Sequence, residues 1–225
     1  MIIAIDGPSG AGKSTLGKML AKKLNLLYLD TGAMYRAVAL AVVERSVDFS
    51  ETAKIVAIAE NANIELIGEP DDLKVFLDGT EVTAEIRTLE AAQAASVVST
   101  ISEVRQIMVD HQRTLGEKDK KGCVLEGRDI GSVVFPNADI KFFLTAKPEA
   151  RARRRFNEDS AKGRISTFEQ TLAEINERDE RDVSREDSPL TISENAVVID
   201  TSELDLSEVF DQMIAKIGEV KTASV

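Results

Sequence analysis

The sequence predicts an α/β fold, a doubly wound five-stranded parallel sheet with helices on both faces. Two observations point to it. Short apolar runs alternate with segments of helical spacing, and the first run ends in a glycine-rich loop that leads into a helix. At 225 residues the chain is long enough to bury a sizeable core without disulfides or metals, as one domain carrying a modest insertion.

The elements follow in order. Residues 2–6, IIAID, form a short apolar run before glycine and read as a buried strand. Residues 14–24 place Leu16, Met19, Leu20 and Leu24 on one helical face. LLYLD (26–30) is a second strand, followed by a long helix through MYRAVALAVVERS. CVLEG (123–127), DIKFFLTA (139–146) and AVVID (196–200) complete five central strands. Residues 63–88 break the rhythm. NIELIG and LKVFLDG alternate apolar and polar residues around an EPDD turn, with TEVTAEIRT following Asp78-Gly79. They read as a small antiparallel β insertion, the alternative being an edge extension of the main sheet. The division is therefore a core of residues 1–62 and 89–225, with an insertion at 63–88. The final KTASV is expected to fray.

Composition excludes several classes of function. Hydrophobic residues make up 43% and charged residues 30%, a globular balance, and no apolar run has the length of a membrane span. MIIAIDG lacks a basic leader and reaches Asp6, so no signal peptide is expected. A net charge of -11 and 4% aromatics without tryptophan argue against nucleic-acid or anionic-membrane surfaces. Single residues Cys123 and His111 leave no disulfide framework, zinc site or Ser-His-Asp triad. A cytoplasmic protein, monomeric because its core suffices, is expected.

Gly7, Pro8, Ser9, Gly10, Ala11, Gly12, Lys13 and Ser14 fit GxxxxGK[ST], with Thr15 next, after a strand and before a helix. The glycines let successive N–H groups curl around a phosphate, and the helix start adds its positive end. Lys13 reaches the β- and γ-phosphates and Ser14 a Mg²⁺ ion. This P-loop binds a nucleoside triphosphate. Asp30 and Asp200, both at strand ends, are candidates for the Mg²⁺ carboxylate; Asp30 is preferred because early strands of such sheets end beside the loop. A switch GTPase would carry NKxD, but no Asn-Lys pair occurs, and DKKG (119–122) matches DxxG without a preceding strand.

Arginine placement marks a second anion site. Residues 151–185 hold eight arginines, at 151, 153, 154, 155, 164, 178, 181 and 185. Arg36 and Arg128 lie at ligand-facing ends of elements, Arg128 with Asp129 after the strand CVLEG. Arg178, Asp182 and Arg185, spaced i, i+4, i+7, share one face of a helix. Taken alone that face could be a salt-bridged surface; converging guanidiniums suit a phosphorylated ligand better. Two phosphate sites imply phosphoryl transfer to a monophosphate, needing electrostatic stabilisation rather than a general base. Residues 151–166 read as a helical lid over the triphosphate, the alternative being a basic face that offsets the acidic surface.

With these features in place, the sequence resembles the bacterial cytidylate kinases over nearly its whole length. The likeness lies in IDGPSGAGKST (5–15), LDTGAMYRA (29–37), EIRT (85–88), EGRDIGSVVFP (126–136), KFFLTA (141–146) and EINERDERD (174–182). The resemblance implies Mg²⁺-dependent transfer of the γ-phosphoryl of ATP to CMP or dCMP. It implies that Arg36, Arg128 and Arg185 hold the CMP phosphate beside Tyr35, that Ser96, Arg105 and Asp129 read cytosine, and that Arg178 and Asp182 hold the ribose. Arg154 and Arg155 match lid arginines, so the catalytic set is Lys13, Arg128, Arg154, Arg155 and Arg185. Residues 63–88 match the family's enlarged monophosphate-binding region. Thr31 stands where some members have serine, and Ser14 where some have glycine; the hydroxyl roles survive. Competing readings are the same chemistry on UMP or a small metabolite, and a non-enzymatic nucleotide switch.

His111 is expected at a polar surface, Cys123 in the core, Phe142, Phe143 and Leu144 in a core strand, and ELDLSEVFDQ in an amphipathic terminal helix.

Overall fold

A computed structural model of the chain describes residues 1–118, 120–161 and 163–223. Asp119 of DKKG, Lys162 of the lid connection and the last two residues of KTASV lie outside the described residues. In chain order the elements begin β1 (Ile2–Asp6), α1 (Lys13–Leu24), β2 (Leu27–Asp30), α2 (Thr31–Glu44) and α3 (Thr52–Asn61). Then come β3 (Ile64–Ile67), β4 (Lys74–Leu77), β5 (Thr80–Glu81), α4 (Leu89–Val98) and α5 (Ser102–Lys118). The chain continues through β6 (Cys123–Gly127), β7 (Ile140–Thr145), α6 (Pro148–Ala161), α7 (Phe168–Ser184), β8 (Val197–Asp200) and α8 (Leu206–Ala223).

Five strands pair in the order β2-β6-β1-β7-β8, all parallel. Their apolar character throughout is what burial on both faces demands. On one face Ile3 and Ile5 of β1 pack with Leu16 and Leu20 of α1 and with Val209, Met213 and Ile217 of α8. On the other, Ala4, Leu29 and Leu125 pack with Val109 of α5 and with Ile130 and Val134 of a π-helical turn, Ile130–Val134. The doubly wound expectation therefore holds.

Residues 64–81 form a separate three-stranded antiparallel sheet, β3-β4-β5, so the edge-extension alternative is excluded. Its inward residues Ile64, Val75 and Leu77 share a core with Met34, Val38 and Val42 of α2, Ile55 of α3, Val98 of α4 and Met108 of α5. EPDD turns through a short 3-10 helix at Pro70–Asp72, and TEVTAEIRT leaves the sheet after Glu81 to form another at Glu85–Arg87.

Three other expectations need adjusting. The terminal helix runs on to Ala223, taking in the first residues of KTASV. His111 is half-buried on α5 rather than at the surface. Arg185 is not on the face of α7. The helix ends at Ser184, and Arg185 is its extended cap, with φ -62° and ψ 144°. Beyond it Ser188, at φ 49°, turns the chain ahead of Pro189. No described helix is long and apolar enough to cross a membrane.

Candidate active site

β1 delivers the chain to Gly7 in the middle of the sheet. Gly7 has φ +144°, and a Cβ there would run into the Leu144 carbonyl of neighbouring β7, so only glycine lets the loop leave between the strands. The loop curls back to start α1 at Lys13, after a left-handed Gly12 cap. Lys13 Nζ donates to the Pro8 carbonyl at 2.8 Å across the loop. Burial, with the Arg128 guanidinium beside it, lowers the Lys13 ammonium to about 7.

The loop opens into a cavity of about 660 Å³. Ser9, Gly10, Ala11, Gly12, Lys13, Ser14 and Thr15 line its donor end. Thr31, Tyr35, Arg36, Ser96, Arg105, Arg128, Asp129, Arg178, Asp182 and Arg185 line the remainder, with Arg154 and Arg155 over the top. Of the candidate loop residues, Gly7 and Pro8 stand behind the wall. Asp30 lines the cavity and Asp200 does not; Asp200, at the carboxyl end of β8, accepts from the Ser202 N–H and hydroxyl. Asp30 also caps α2, accepting from the Ala33 N–H at 2.9 Å, and pairs with Arg36 at 2.9 Å.

The arginines are held incompletely. Arg128 donates through Nε to Asp182 at 2.7 Å, Arg185 through Nε to the Ser188 carbonyl at 2.7 Å, and Arg105 to Asp129. Arg105 also lies over the Tyr35 ring, 5.7 Å from its centroid. Among the described residues five buried side-chain polar atoms lack any partner. Four of them are Arg36 Nε, Arg105 Nε, Arg178 Nε and Arg185 Nη2. A buried donor left unmade costs about 1–3 kcal/mol, so four around one cavity mark a site shaped for a ligand rich in acceptors. Burial and the adjacent Arg128 lower Arg178 to about 10, another cation short of negative charge.

A family model described as "Cytidylate kinase" matches residues 3–219. The chain belongs to the cytidylate kinase family. A protein named cytidylate kinase from Caldanaerobacter subterraneus subsp. tengcongensis is 50% identical over 94% of this chain and 92% of its own. Another of that name from Clostridioides difficile is 45% identical over 97% and 98%. An uncharacterized protein from Eubacterium ventriosum superposes with a TM-score of 0.55 at 13% identity, covering 97% of this chain and 98% of that one, and shares the fold.

Several parts of the site escaped the sequence reading. Glu126, one residue before the end of β6, is buried beside Ser14, Lys13 and Asp30 and accepts a hydrogen bond from the Tyr28 hydroxyl. Burial and the Asp30 charge raise its pKa. The signal was available: an acid at the carboxyl end of a central strand. Asp6 accepts from the Ile130 and Gly131 N–H groups at 2.8 and 2.7 Å, fixing the backbone beside Arg128 and Asp129. Its burial pushes it up to about 6 against those two hydrogen bonds. Arg154 spends its donors on Thr201 and, at 3.5 Å, on the Gly10 carbonyl. Arg155 pairs with Asp159 at 3.0 Å. Arg164 shares that carboxylate at 2.9 Å and reaches the Arg87 carbonyl at 3.0 Å, tying the connection between α6 and α7 to the short helix after β5.

Proposed function

We propose that the protein transfers the γ-phosphoryl group of ATP to CMP or dCMP, giving ADP and CDP or dCDP. The observation that carries this is the single cavity joining the phosphate loop to four unpartnered arginine donors. Family membership supplies the acceptor class.

ATP would lie with its phosphates along residues 7–15, Lys13 on the β- and γ-phosphates. The donor set fits a magnesium ion: a Ser14 hydroxyl faces Glu126, and Glu126 and Asp30 are neighbouring acids whose mutual repulsion a divalent cation relieves. Ser14, with Asp30 and Glu126, would hold the ion, which supplies charge neutralisation across the transferring phosphates. Arg36, Arg128 and Arg185 would grip the acceptor phosphate, with Tyr35 and Thr31 beside them. Asp129 would accept from the exocyclic amino group of cytosine while Arg105 and Ser96 donate to ring acceptors; uracil, with a carbonyl in place of that amine, sets a second acceptor against the Asp129 carboxylate. Arg178 and Asp182 would hold the sugar.

No base is needed, because the attacking oxygen is already anionic. Lys13 and Arg128 flank the line of transfer, and Arg154, Arg155 and Arg185 would complete the positive charge there. Residues 151–166 act as the lid that excludes water, and residues 63–88 as the CMP-side insertion of the core. Both sites lie in one chain, so a cytoplasmic monomer suffices.

The test is ADP formation from MgATP with CMP, dCMP, UMP, AMP or no acceptor. Turnover confined to CMP and dCMP is expected. Preference for UMP or AMP would overturn the cytosine assignment, and acceptor-independent hydrolysis the transfer itself.

A further inference from the structure

A buried guanidinium is costly unless its N–H groups meet acceptors. Those of Arg151 hold four parts of the chain together. Arg151 lies in the first turns of α6, and its Nε donates to the Ala146 carbonyl just past β7 at 2.8 Å. Its Nη1 donates to the Ser9 carbonyl of the phosphate loop at 3.2 Å. Nη1 and Nη2 together grip both carboxylate oxygens of Asp179 on α7, at 3.1 and 2.5 Å. The side chain is 3% exposed, against 22% for Asp179. Gly10 packs directly on it, since a Cβ there would sit 3.1 Å from the Arg151 Cβ. Neither residue of the pair lines the cavity.

We propose that Arg151 and Asp179 are positioning residues that couple the donor and acceptor sites, so that filling one changes affinity at the other. This rests on the two-site reading above. Arg178, immediately before Asp179, lines the acceptor side with a buried Nε that has no partner. Asp182, one turn on, holds Arg128. An anion among these groups interacts differently with α7 placed near it or away from it, which is what a ligand needs in order to bias a helix position. α7 cannot shift without carrying the Asp179 oxygens, and Arg151 passes that shift to the Ser9 carbonyl. The linkage is reciprocal: whatever ATP does to CMP affinity, CMP does to ATP affinity.

Calorimetry tests this with a non-hydrolysable ATP analogue and Mg²⁺, titrated with and without saturating CMP. In the unaltered protein CMP should tighten the analogue by about fivefold or more. Asp179→Asn keeps the side-chain size and removes the charge. Arg151→Lys keeps the charge and loses the two-pronged grip. In both, each nucleotide alone should still bind, while the coupling ratio falls to about one. A merely structural staple would lower the melting temperature without moving that ratio. An unchanged ratio in either folded variant overturns the proposal, as does a ratio of one in the unaltered protein. Loss of folding in both variants, read by circular dichroism, also overturns it by reducing the pair to a structural clamp. Failure of the unaltered protein to bind one nucleotide at all is a separate result, and removes the two-site reading itself.

Discussion

Arg128, at the end of β6, is held at 2.7 Å by Asp182 of α7, so the cation at the mouth of the central sheet takes its orientation from a carboxylate on that helix. Arg185 approaches the same carboxylate at 3.8 Å. Burial opposes ionisation of Asp182, and the Arg128 and Arg178 charges more than offset it, holding its pKa below the ordinary carboxylate value. The stability it contributes is therefore present above the ordinary carboxylate range and lost as pH falls through the depressed value. Asp182→Asn should destabilise the free protein by about 2 kcal/mol at neutral pH, with part recovered in phosphate buffer. Urea unfolding with and without phosphate checks both; an unchanged midpoint would show that the cluster needs no internal anion.

Base selection should reside in the Arg105–Asp129 pair. Both side chains are almost fully buried, so removing one partner strands the other charge. Asp129→Asn is expected to narrow the CMP-to-UMP ratio of kcat/KM by about tenfold or more, because the amide can donate to a uracil carbonyl. The ratio, rather than CMP turnover alone, separates recognition from loss of stability. An unaltered ratio contradicts the assignment of this pair to the base.

Arg185 offers a split between substrates. Its Nη2 is one of the unpartnered donors, and its Nε is already committed to Ser188. Arg185→Ala should weaken the acceptor by about 10- to 100-fold in KM or kcat, and leave ATP affinity nearly unchanged. Steady-state kinetics with each substrate varied decides it. A selective loss of ATP affinity would move Arg185 to the donor side.

Lys13 gives a proton signature. Burial and Arg128 hold its pKa near 7 in the free protein, and triphosphate oxygens favour the charged form, raising it. Binding should therefore take up a fraction of a proton around neutral pH, and ATP affinity should fall as pH rises through the free-protein value. Titration calorimetry in buffers of different ionisation enthalpy measures this directly. Equal enthalpies in all buffers would show that the ammonium is fully charged before ATP arrives.

The strands and the phosphate loop were legible because each is announced by short-range chemistry: apolar runs bounded by glycine or acid, and a glycine spacing with one structural meaning. The arginine cluster was legible as a cluster but not by member. Arg151 and Arg178 look alike in sequence, yet one has its donors placed on Ala146, Ser9 and Asp179 and the other keeps a bare Nε. That difference depends on contacts 28 and 142 residues apart, which no local pattern encodes. Arg185 lies off the helix because α7 ends at Ser184, one residue short of the position the i, i+7 spacing requires. Glu126 was hidden by the arginine beside it, although its place at a strand end carried the same signal as Asp129.

The order of strands also bears on how the chain is made. β1, which supports the phosphate loop, sits in the middle of the sheet, and its two neighbours are β6 and β7. During synthesis the first strand therefore has no partner until residues 123–127 have emerged, and its second edge stays open until 140–145 follow. Residues 31–81 can meanwhile gather α2, α3 and the small antiparallel sheet from closer contacts. The loop that grips nucleotide is thus translated well before the strands that secure it, and the unpaired IIAID run is a stretch that a nascent chain needs shielded from its neighbours on the polysome.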